Sequence, residues 1–198
     1  MLNTNQVVVI DFEGFRHKKS GFIIKELSVQ SENFSDTLLF GPPKNFSELS
    51  SSEQKSHNWV SKFLHGIEWT SGEYPYTYLE TYFIFLTLRF QSGFFYAKGT
   101  EKCHKIAELL KRPVQNLEEL NCPKIETLAM AYTSSCGFHS SKTPQRQRSR
   151  HCAERKASAF LQWVEQRNET VISSDQLISK FDHLQLYDSR SQTLGKII

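Results

Sequence analysis

The sequence predicts an α/β protein built on a mixed sheet. Three apolar, β-branched segments come first, joined by short polar connections that suit antiparallel hairpins. Alternating strand and helix patterns follow, the mark of βα units. The 198-residue length fits one sizeable domain with a tail.

"QVVVIDF" (6–12) reads as a buried central strand that ends in an acid. "GFIIKELSVQ" (21–30) and "DTLLFG" (36–41) are the next two strands, and "GPP" stops the sheet. A helix is expected from Ser47, with Trp59, Phe63 and Leu64 on its apolar face. "HGIEWTSGEYP" is a loop and "YTYLETYFIFLTLRF" a second helix. "GFFYAKG" is a strand. Thr100 is expected to cap the helix "EKCHKIAELLK". "VQNL" is a short strand, and "PKIETLAMA" begins a helix with Pro at its head. "HCAERKASAFLQWVEQ" is the last long helix, with Ala153, Ala157, Phe160, Leu161 and Val164 in one stripe. The domain is expected to span 1–168, and 169–198 to form a short helix and a partly ordered tail.

Composition bounds the function. A hydrophobic content of 38% and an aromatic content of 13% indicate a packed core rather than a disordered chain. The net charge of +3 permits nucleic-acid binding without demanding it, so the placement of charge decides. "MLNTNQVVVIDFEG" lacks the basic start and apolar run of a signal peptide, and "YFIFLTLRF" is too short to span a bilayer. The expectation is an intracellular protein with reduced thiols and no membrane contact. In that setting, clustered Cys and His point to metal rather than to disulfides.

Three motifs carry chemistry. In "IDFEG", Asp11 and Glu13 stand two apart on a strand and so share a face. Paired carboxylates there can hold Mg²⁺ or Mn²⁺ for phosphodiester cleavage, or can simply end a strand at the solvent edge. In "CGFH", Cys136 and His139 offer two ligands from one turn, and Cys152 offers a third from the next helix. Glu101 is the favoured fourth ligand, because it opens the helix after the fourth strand; Cys103 and Cys122 compete for the role. From the stretch between these ligands to just past Cys152 runs a basic strip of Lys142, Arg146, Arg148, Arg150, Arg155 and Lys156, able to neutralise phosphates or to be a solvated connection.

The element order describes the ribonuclease H-like fold, and "IDFEG" resembles the first motif of the DEDD exonucleases, which share it. That family also places an Asp on the helix after the fourth strand, and a His followed five residues later by an Asp in the last helix. Here "FFYAKGTEK" has no Asp; His151 matches the His, and Lys156 stands where the last acid belongs. The resemblance therefore supports the fold and argues against intact exonuclease chemistry. Asp11, Glu13 and His151 are the catalytic candidates of a rearranged site.

"KGTEK", "CGFH" and "HCAERKASAFLQWV" together resemble the Maelstrom domain of the PIWI-interacting RNA pathway, over roughly residues 7 to 166, and stand-alone arthropod proteins of that type. The resemblance implies a structural Glu-Cys-His-Cys zinc site, whose order matches Glu101, Cys136, His139 and Cys152. It also implies single-stranded RNA as ligand, small-RNA pathway proteins as partners, and a single-strand ribonuclease activity that does not use the DEDD acids. The compartment implied is the cytoplasm, perinuclear region or nucleus.

Overall fold

The computed structural model describes residues 6–17, 21–128 and 151–167. Five strands form one mixed sheet: β1 (Val7–His17), β2 (Gly21–Ser31), β3 (Phe34–Leu39), β4 (Phe94–Ala97) and β5 (Gln115–Asn116). Their order is β3-β2-β1-β4-β5. The first three strands run antiparallel, while β4 lies parallel to β1 and β5 parallel to β4. Three antiparallel strands followed by βα units are thus present as expected. β1 is longer than expected, β3 is shifted by two residues, and β4 and β5 are shorter, because pairing rather than apolar content sets where a strand ends.

β1 separates two unlike layers. Val8, Ile10 and Phe12 face an apolar core with Ile24, Leu27 and Val29 of β2. Helices α2 (Tyr78–Arg89) and α3 (Thr100–Leu110) cover that side. Leu79, Tyr82, Phe83 and Leu86 of α2 recur at helical spacing and enter the core, as do Cys103, Ile106 and Leu110 of α3. Each such fully buried side chain contributes about 1.5–3 kcal/mol. The opposite face carries Asp11, Glu13 and Phe15, paired across to Ser28, Glu26 and Ile23.

Opposite the Glu13–Gly14 step β2 carries a bulge: Glu13 pairs with Glu26 and Gly14 with Ile24, which leaves Lys25 as the extra residue. Gly14 is required there: a Cβ would lie 2.0 Å from the carbonyl oxygen of Ile23.

Three helical expectations are corrected. The segment after Ser47 opens with a 3₁₀ turn (Phe46–Glu48), and α1 runs only over Ser51–Val60, continuing as a π-helical stretch (Ser61–His65). Trp59 and Phe63 point outward, 55% and 42% exposed, and His57 and His65 are the buried residues. Both histidines find polar partners inside: His57 Nε2 lies 3.1 Å from the carbonyl of Arg16, and His65 Nε2 lies 3.2 Å from that of Gly14. Thr100 does not cap α3; it is the first helical residue, and Gly99 (φ 99°) takes the cap position. "PKIE" forms only a 3₁₀ turn (Ile125–Thr127), and the rest of that expected helix lies outside the described residues.

The fourth helix, α4, covers residues 153–167. Ala153, Ala157, Phe160 and Val164 of its stripe are buried. The chain divides into two compact units, Met1–Gln162 and Trp163–Ile198. Of the second, the described part is the end of α4, where the Arg167 guanidinium lies 5.4 Å from the Trp163 ring centroid. Among the described residues, no helix is long and apolar enough to cross a membrane.

Candidate functional site

Alternation along β1 puts Asp11 and Glu13 on one face, and both are buried, at 1% and 9% exposure. Two lysines meet them. Lys102, from the first turn of α3, donates to Asp11 Oδ1 at 2.6 Å and to the carbonyl of Phe12 at 2.5 Å. It lies 3.7 Å from Glu13 Oε1. Lys156, from the first turn of α4, pairs with Asp11 Oδ2 at 2.7 Å and donates to Glu13 Oε1. His151 Nδ1 lies 4.0 Å from Glu13 Oε2. The three catalytic candidates of the sequence are therefore brought together, but around two ammonium groups.

Burial alone would raise the Glu13 carboxyl; the Lys156 and Lys102 ammoniums more than reverse this and hold it at about 2. Burial would likewise strip the proton from Lys156, yet Asp11 and Glu13 raise it well above the ordinary lysine range. Lys102 is lowered, first by burial and then by repulsion from Lys156, against the pull of Asp11 and Glu13. Two carboxylates and two ammoniums thus form a compact buried quartet in which Lys156 is the firmer proton holder.

Next to Glu13, on the paired strand, stands a third buried carboxylate. Glu26 is fully enclosed. Its Oε2 accepts the backbone N–H of Ala153 at 3.0 Å, and its Oε1 lies 3.8 Å from Cys152 Sγ. The start of α4 supplies orphan N–H groups and the positive end of the helix dipole, which makes a buried carboxylate tolerable there. Ser28 and Gln30 continue the same polar face, with Gln30 Nε2 donating to Ser28 Oγ at 3.0 Å.

The expected zinc ligands divide. Cys136 and His139 lie outside the described residues. Cys152 is buried against Glu26, whereas Glu101 is half-exposed and bound by the Arg16 guanidinium. Of these two carboxylates, Glu26 is the one set against Cys152. The competing thiols have other surroundings. Cys103 donates to the Ala97 carbonyl at 3.4 Å, and burial pushes it up to about 11. Burial also raises Cys122, which lies beside Lys98. Both stay protonated at neutral pH, and Cys103 belongs to the apolar core.

Of the basic strip, Lys142, Arg146, Arg148 and Arg150 lie outside the described residues. Lys156 is turned inward to the acids, so it has no ammonium to offer a phosphate. Arg155 is half-buried.

Two participants, Lys102 and Glu26, were not singled out as site residues by the sequence reading. A signal for Glu26 existed: Glu26, Ser28 and Gln30 repeat at period two, alternating with Leu27 and Val29. That stripe needed a buried polar face opposite, which is where β1 puts its acids.

No family model, curated protein or solved structure matches this chain.

The site can be tested against the cations it suggests. A pair of catalytic Mg²⁺ or Mn²⁺ ions does not fit the acid pair: both oxygens of Asp11 and one of Glu13 already face ammonium groups, and two further positive charges would add uncompensated repulsion. The second cluster has donor types that zinc accepts, although among the described residues no group of three or more possible ligands stands together. Glu26, with one oxygen anchored by a backbone N–H, and the Cys152 thiol against it are two of the four donors that a structural zinc site needs.

Proposed function

We propose that the chain is a ribonuclease H-like domain of Maelstrom type that binds single-stranded RNA and has exchanged two-cation nuclease chemistry for a lysine-neutralised core. The observation that carries this reading is the quartet of Asp11, Glu13, Lys102 and Lys156. Lys102 comes from the helix after the fourth strand and Lys156 from the last helix, the two elements on which DEDD exonucleases carry their remaining acids. Ammonium groups there replace metal-bridged attraction with direct ion pairs. They tie α3 and α4 to β1 by direct ion pairs that need no metal ion. The strand order β3-β2-β1-β4-β5 supports the fold reading.

Zinc has a structural role in this reading, held by Cys136, His139 and Cys152 with Glu26 as the carboxylate. Glu26 preserves the Glu-Cys-His-Cys order as well as Glu101 does. Such a site joins β2 to the start of α4 and to the segment between α3 and α4. RNA is met by Arg146, Arg148, Arg150 and their neighbours, whose guanidiniums suit phosphate oxygens. Small-RNA pathway proteins are the proposed partners. Their compartment, cytoplasm, perinuclear region or nucleus, is proposed with them.

A salt titration of single-stranded RNA binding, made on the wild type and on a variant with Arg146, Arg148 and Arg150 changed to Ala, tests the reading. The wild type should bind with a steep salt dependence, and the variant should lose up to about 2 units of slope. Equal binding by the two proteins would remove the strip from the interface. A protein-interaction scaffold is the second reading, favoured by the exposed Ile84, Phe85 and Leu88 on α2.

A further inference from the structure

The face of α1 that turns away from the sheet has a composition unlike an ordinary solvated helix. Lys55, Asn58, Trp59, Lys62 and Phe63 are all exposed along α1 and its π-helical continuation. The Trp59 and Phe63 rings lie 5.7 Å apart, and Lys62 Nζ stands 5.2 Å from the Phe63 centroid.

The segment is held in this orientation from its inner side. His57 is stacked on Trp69, with centroids 4.8 Å apart and planes 16° from parallel. His65 accepts the Ile67 N–H at Nδ1, at 3.0 Å, which leaves its Nε2–H to donate to Gly14. Because these histidines face inward, Trp59 and Phe63 must face outward. Charge on the strip has one sign. No acid stands between Glu53 and Glu68, and Glu53 is engaged by Ser50 at the start of the helix.

We propose that Trp59 and Phe63 form a stacking platform for the bases of single-stranded RNA, with Lys55 and Lys62 beside it to meet the flanking phosphates. Every base offers a π face, so two exposed aromatic rings bind without sequence preference, and cations without nearby acids favour the backbone that links the bases. The apolar face of α2 differs in its surroundings: beside the exposed Phe85 it carries the aliphatic Ile84 and Leu88, and Glu80 and Arg89 give that helix both signs of charge. The platform rests on the RNA-binding reading above but adds a surface separate from the basic strip.

Tryptophan emission tests it on the full chain, titrated with a 12-nucleotide oligouridylate. Of the three tryptophans, Trp69 is buried and Trp163 half-buried, so Trp59 should dominate the response. Stacking should quench emission on binding. Trp59→Ala should remove that quench and weaken affinity at least about fivefold. Trp59→Phe should lose the quench but keep most of the affinity, and Phe63→Ala should weaken binding with the quench retained. Wild-type binding with no change in emission, or equal affinity in Trp59→Ala, would overturn the platform and leave the basic strip as the interface. Absence of any oligouridylate binding by the wild type, even at low salt, would overturn both. A response to anionic lipid vesicles and none to the oligonucleotide would assign the strip to a membrane surface and overturn the platform.

Discussion

Helices α1 and α4 begin in the same way and are held in opposite ways. Each start presents orphan backbone N–H groups, and each is met by a carboxylate. At α1 the answer is local: Ser50 Oγ accepts the Glu53 N–H at 3.3 Å, and Glu53 Oε2 accepts the Ser50 N–H at 3.0 Å. At α4 it comes from far along the chain. Glu26 accepts the Ala153 N–H, and one turn on Lys156 reaches Asp11 and Glu13. The local cap is exposed, so water can replace it. The distant one is buried, so nothing can. Removing one partner of a buried charge set strands the others, while removing an exposed cap forfeits only a modest net gain.

The difference can be broken at its strongest point by Lys156→Ala. Asp11 and Glu13 would then share Lys102 alone inside the fold, and urea unfolding should show a loss of about 3–5 kcal/mol. A loss below about 1 kcal/mol would mean that the quartet is hydrated and that burial is not the source of the contrast.

Acid titration probes the same charges without a mutation. Glu13 is held at about 2 in the folded chain against an ordinary value of 4.5. A carboxyl with a depressed folded value adds stability above its unfolded value, and that stability is lost as pH falls through the folded one. Stability should therefore drop between about pH 4.5 and 2, with Glu13 responsible for about 3 kcal/mol at most. Glu13→Gln should flatten that limb.

Glu26→Ala should cost about 1–3 kcal/mol, because the Ala153 N–H is left buried and unpaired. Glu26→Gln sharpens the comparison. It keeps an acceptor for that N–H but weakens a metal ligand, so zinc content measured by elemental analysis should fall more than apo-protein stability does. Zinc retained in Glu26→Gln and lost in Glu101→Gln would return the ligand role to Glu101. The smallest effect is expected for Ser50→Ala, about 1 kcal/mol.

The same contrast explains what could be read in the sequence. The order of strands and helices was legible because it follows from local periodicity. The lysine at position 156 was recognisable as standing where an acid belongs, yet its outcome, an ion pair with the acids of "IDFEG", required three dimensions. Lys102 was harder, since its partner Asp11 lies 91 residues away and only the βα connection brings α3 over the strand. Glu26 needed the register Glu13↔Glu26, and periodicity within one strand does not supply register. The reading of α1 erred for a related reason. Hydrophobicity put Trp59 and Phe63 inside, while His57 and His65 won those positions by lying within hydrogen-bond distance of the Arg16 and Gly14 carbonyls of β1.

The central claim is that ammonium groups hold the acid pair in place of catalytic cations. It is tested most directly by following end-labelled single-stranded RNA and DNA with the zinc-loaded wild type across a Mg²⁺ and Mn²⁺ titration, with Asp11→Asn in parallel. The account predicts no degradation that depends on added divalent cation and no difference between the two proteins. Robust cation-dependent turnover by the wild type, abolished in Asp11→Asn, would contradict it and make the acid pair an active exonuclease centre.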